Sequence, residues 1–300
     1  MDSFNPNPTI GALLIGVLLS YLLLGVMTTQ TYIYYGRFPN DPRKLKAMVA
    51  VVWVCEFAHA LCIGHTLYTY TILDYGHPER LGPTRASPRS IHTSVLFGLV
   101  ITTCVQGFFS VRIYALSRRL FVPILIGTLL FLRVVGSTVA SAAGLRSTSV
   151  LNYESQWGWL IKTVWSIGAA CDVITTTALV TVLVQQRTYA HRRTGAILDK
   201  IIAWTIETGI LTTASWLVML ACFVTMKKNF IWIAVFVINA RLFSNSFLAS
   251  LNSRASLRTT NDVSLSGFAG IVPSSSSQMT KLTHITYDAE SRDTAVPKNA

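Results

Sequence analysis

Between Ser3 and Gly36 the chain carries no charged residue, and apolar blocks of similar length return six more times. Together they cover about residues 9–34, 47–73, 91–114, 120–143, 159–184, 200–225 and 230–250. Each is as long as the ~20 residues an α-helix needs to cross the hydrocarbon core of a bilayer. Apolar residues run through each block instead of marking one face, so a single water-soluble core does not account for them. The period-two alternation of a barrel strand is absent, and lipid requires each segment to close its own backbone hydrogen bonds. The pattern predicts an all-α fold: a polytopic membrane bundle of seven transmembrane helices spanning residues 9–254.

Composition agrees. Of the 300 residues 51% are hydrophobic and 13% charged, about half the charged share of ordinary soluble domains. The five cysteines, Cys55, Cys62, Cys104, Cys171 and Cys222, all fall inside apolar blocks, so they are expected to pack as small apolar residues instead of forming a disulfide framework.

Charge adds an orientation. The net charge is +12, but the basic residues sit in short links between apolar blocks, where they orient a membrane protein and meet anionic lipid instead of nucleic acid. The first, third and fifth links and the start of the tail hold thirteen Lys and Arg residues against six on the opposite side. That bias predicts residues 1–8 as a short extracellular N-terminus and a cytosolic C-terminus. Residues 255–300 are rich in Ser and Thr, include the run Ser274–Ser277, and show no apolar period; they are expected to form a disordered, modifiable cytosolic tail.

Charged groups deep in a membrane are costly, and they face the bundle interior, where they pair or serve function. Seven residues form a candidate intramembrane polar network: Glu56 and His59 on the second helix, Arg133 on the fourth, Asp172 on the fifth, Glu207 on the sixth, Arg241 and Asn245 on the seventh. Arg133 and Asp172 both fall near the midplane, whereas Glu207 and Arg241 lie roughly 9 and 13 Å inside the cytosolic edge at 1.5 Å per residue. Two ion pairs are therefore expected, Arg133–Asp172 and Arg241–Glu207. Glu56 and His59 share a face, but a carboxylate-bridged metal bundle needs a second such motif, so hydrogen bonding inside the bundle is the expectation. The small-residue ridge Gly136, Ser137, Ala140, Ser141 and Gly144 is expected to bring helices close. The polar faces Thr103, Gln106, Ser110 and Thr205, Thr208, Gly209, Thr212, Ser215 are read the same way.

Several seven-helix classes fail on particular residues. A retinal protein needs a lysine within the last helix, which offers Arg241 instead. Helix 3 ends Arg112-Ile113-Tyr114 in place of an acidic–Arg–Tyr motif, and Asn245 is followed by Ser246 in place of proline. No catalytic residue, metal or cofactor is assigned.

The stretches DKIIAWTIETGILTT (199–213) and NFIWIAVFVINARLFSNSFLASLNSR (229–254) nevertheless have a likeness. Weaker likeness runs through Gln30 to Tyr35, Phe38 to Asp41 and Gln106 to Ile113. On these residues the chain resembles the seven-helix membrane proteins of mushroom-forming (basidiomycete) fungi that carry a C-terminal domain of unknown function. The resemblance implies the architecture and brings no activity with it. The expectation is a multi-pass protein, of the plasma membrane first, with an unknown ligand or cytosolic partner. A receptor or sensor leads, with a transporter or channel using the midplane charges as the alternative and a structural scaffold as the third.

Overall fold

The computed structural model describes residues 6–75, 87–189, 192–226 and 229–269. A π-helical turn, Asn7–Gly11, leads into α1 (Ala12–Arg37); α2 (Arg43–Tyr68) ends in a second one, Thr69–Leu73. There follow α3 (Arg89–Ser117), α4 (Phe121–Arg146), α5 (Val150–Thr188), α6 (Arg192–Thr225) and α7 (Ile231–Ala269). Among the described residues seven helices are long and apolar enough to cross a membrane. Their outward faces are apolar too, with Leu22, Leu61, Phe131 and Ile210 each more than 60% exposed. Water would not solvate such a surface and lipid would. The chain is a multi-pass membrane protein.

Local chemistry sets the helix ends. Pro42 and Pro88 stand just before α2 and α3 with extended ψ, and their carbonyls accept the first amides of the following helix. Proline loses nothing there, because it has no N–H to leave orphaned. α3 stops where Arg118 turns left-handed at φ 57°, which closes the helix C-terminus and starts α4 within a few residues. The helices outrun the apolar blocks; α5 extends past both edges of block 159–184, because backbone hydrogen bonding continues where apolar side chains give way to polar ones.

The chain divides into two compact units between Ser253 and Arg254. The first is the bundle. In the second, the backbone remains helical to Ala269, where composition predicts disorder from residue 255. No proline or glycine interrupts residues 255–266, and polarity alone does not end a helix. The rest of the tail, with Ser274–Ser277, lies outside the described residues, as do residues 1–5 and the basic positions Arg80, Arg85, Lys227 and Lys228.

Within the bundle, small residues let helices meet closely. A Cβ on Gly16 of α1 would lie 2.7 Å from the Ala234 Cα of α7, so only glycine permits this approach. The ridge on α4 is buried along its length, with Gly136 against Val164 and Gly144 against His92. One apolar cluster joins Leu13, Val17, Ile63, Ile91, Ile233 and Val237 near the starts of α1, α3 and α7. A second joins Ile113, Ile126, Leu179 and Leu183 toward the other side. The buried charges Glu56, Arg133, Asp172 and Arg241 sit near the helix midpoints, in two groups.

Candidate functional site

The first group centres on Arg241 of α7, which is fully buried. Its Nε donates to Ser20 Oγ of α1 at 2.9 Å, and its Nη1 donates to the Glu56 carbonyl of α2 at 2.9 Å. The same Nη1 forms an ion pair with the Glu56 carboxylate, and Nη2 lies 3.4 Å from His59 Nδ1. Ser244, one turn along α7, donates to the other Glu56 oxygen. Asn245 continues the stripe by donating to Leu23 O at 3.1 Å, and Asn252 donates to Gln30 O at 2.9 Å. The 3.6-residue period places Glu56 beside His59 and Arg241 beside Ser244, so the group binds α1, α2 and α7 together at one level. Asn252, read as part of the membrane exit, also holds α1.

This arrangement corrects the expected Arg241–Glu207 pair. Glu207 is exposed on the outward side of α6, whereas Gly209, Thr212, Trp216 and Met219 face inward. Two residues from Gly209 is ~200° around a helix at 100° per residue. Matching depth allowed the pair, and azimuth forbids it.

The second group gathers α3, α4, α5 and α6. Gln106 Nε2 donates to Asp172 Oδ1 at 2.7 Å, and Gln106 Oε1 accepts from Cys171 Sγ at 3.5 Å. Arg133 shares this neighbourhood and its charge acts on Asp172. Among the described residues the two form no ion pair. The guanidinium instead lies over the Trp216 ring, 4.6 Å from its centroid, a cation–π contact. Asp172 Oδ2, Arg133 Nη1, Thr175 Oγ1 and Trp216 Nε1 are all buried without a well-formed hydrogen bond, while Thr212 and Trp216 lie close enough to act on the Asp172 carboxylate. Buried polar groups are normally satisfied, so four loosely bonded polar groups together set this place apart from the packed apolar core.

A cavity reaches this group. Its volume is about 60 Å³, and its walls come from α3, α5, α6 and α7. Asp172, Gln106 and Thr212 line it near the helix midpoints, and Ser250 and Ser253 line it at the far end of α7's membrane span. At ~10–15 Å³ per water it has room for roughly four waters. Toward the starts of α5 and α7 the way narrows differently. Trp165, Phe223 and Trp232 pack ring against ring there, with centroids 5.0, 5.4 and 5.7 Å apart. The cavity reaches Asp172 from the side of Ser250 and Ser253.

The threonine face of α6 and Gln106, read as packing, line this cavity. Gln106 was discoverable in part, since it sits at the depth of Asp172 on its own helix; the direction it faces was not.

Residues 168–256 match a family of unknown function, DUF6534. No curated protein and no solved structure matches the chain. The matched stretch contains the 199–254 segment that carries the resemblance seen in the sequence. It also supplies every cavity-lining residue except Gln106 and Phe109. Glu56, His59 and Arg133 lie outside it.

Proposed function

We propose that the protein is a receptor- or sensor-like membrane protein that binds a small solute against Asp172. The observation that carries this reading is the cavity whose wall includes the buried carboxylate residue Asp172. The Lys and Arg bias orients the N-terminus outside and the cavity mouth toward the cytosol. Solute in the cavity touches α3, α5, α6 and α7 together, so occupancy shifts the balance between their packing arrangements, which is how a ligand biases a two-state protein. All seven helices pass the midplane unbroken and an aromatic trio fills the outer side, features that favour sensing over passage.

Transport is the second reading. Asp172 sits near the midpoint of its span, where carrier sites lie, and is accessible from one side as an inward-open carrier would have it. The full chain in nanodiscs, tested for solute-dependent thermal stabilisation, and the same chain in liposomes, tested for uptake, separate the two. Sensing expects stabilisation that is lost in Asp172→Asn, with no uptake. Uptake that disappears in Asp172→Asn overturns it in favour of a carrier. No Asp172-dependent response to any solute leaves the scaffold reading in place.

A further inference from the structure

We infer that the occupant of this cavity is a small organic ammonium, an inference that rests on the cavity being a solute site. The wall offers acceptors. Thr205 donates its hydroxyl proton to Ile201 O at 2.7 Å, Thr208 to Trp204 O at 2.9 Å, and Thr212 to Gly209 O at 3.2 Å. With the Thr205 and Thr208 protons committed to the helix backbone, those two hydroxyls offer lone pairs to the cavity. Gln106 spends an amide N–H on Asp172 Oδ1. Asp172, 4% exposed, brings a carboxylate to the inner end of the wall, with Thr175 one turn along the same helix.

Charge points the same way. Asp172 is the single ionisable residue in the wall, and Arg133 lies off the wall against Trp216. An anion at the inner end would meet the Asp172 carboxylate, which disfavours it. A bare metal cation would use the oxygens but gain nothing from Phe109, Trp204 and Phe243, which supply much of the remaining wall. An ammonium donates to Asp172 and the threonine oxygens, its carbons pack on the rings, and cation–π attraction adds to both. Space for roughly four water-sized centres limits the ligand to about four non-hydrogen atoms. Ligands of that size bind with dissociation constants of about 1 mM.

The test uses the full chain in nanodiscs at constant ionic strength, with thermal stabilisation and calorimetry as readouts. The probes are ethylammonium chloride, potassium chloride, sodium propionate and 1-propanol. Ethylammonium is expected to bind saturably, with affinity falling at least tenfold in Asp172→Asn and several-fold in Trp204→Leu. Thr208→Val, which keeps size and charge, should weaken it too; its melting temperature shows whether the fold is intact. Asp172-dependent binding of propionate or propanol would overturn the ammonium class and leave the solute site standing. An equal response to potassium alone would overturn the organic part of the proposal. If no probe gives an Asp172-dependent signal, the inference and the site reading fall together.

Discussion

Arg241 of α7 and Glu56 of α2 form an ion pair in which both side chains are fully buried. The pair holds because it is not alone: the guanidinium also meets Ser20, the Glu56 carbonyl and His59, and Ser244 completes the carboxylate. A buried ion pair stabilises only when such hydrogen bonds offset the loss of solvation. Removing one partner strands the other.

The first prediction follows. Arg241→Met should destabilise the bundle by about 3–5 kcal/mol, because Glu56 is left as an uncompensated buried charge. Glu56→Gln combined with Arg241→Met should recover a large part of that loss. Thermal unfolding of the four proteins in detergent gives the coupling energy directly. Glu207→Gln in the same assay should move the midpoint little, and a large loss there would contradict the outward placement of Glu207.

Trp216 carries a second prediction. Its ring is the contact found for the Arg133 guanidinium, so Trp216→Leu should cost about 2 kcal/mol beyond the change in packing. Trp216→Phe should recover part of it, since a smaller π face remains. Equal losses in Leu and Phe variants would mean that volume, not the ring's charge distribution, supports Arg133.

The close meeting of α1 and α7 is testable by size. Gly16→Val places its branched side chain where Ala234 already sits, and should cost about 1–3 kcal/mol through overpacking. Gly25→Val, with open space around the glycine, is the control and should stay close to the parent. If both behave alike, the α1–α7 contact is looser than described.

Orientation rests on the Lys and Arg bias, and it yields a plain experiment. A tag following Ala300 should be reached by antibody only after cells are permeabilised, and one preceding Met1 without permeabilisation. The reverse pattern would turn the cavity mouth outward and with it the source of the solute.

Which residues matter was largely legible in the chain. Glu56, His59, Arg133, Asp172, Arg241 and Asn245 declare themselves, because a charge or amide in an apolar block stands out against its neighbours. Their partners were harder. Arg241 was matched to Glu207 by depth and met Glu56 instead, and Arg133 was matched to Asp172 but rests on Trp216. The threonines of α6 looked like packing and proved to be a cavity wall. Nothing in a sequence separates a hydroxyl that touches another helix from one that touches empty space.

The sequence by itself determined the class of the protein. Uninterrupted apolar stretches leave the backbone no way to satisfy its hydrogen bonds in lipid except as spanning helices, and each stretch decides this locally. Only the tertiary structure decided which faces meet. The rotation of each helix about its axis depends on all its neighbours at once, through contacts such as Gly16 on Ala234. That rotation turned Glu207 outward, gave Arg241 to Glu56, and set Asp172 in the wall of a cavity.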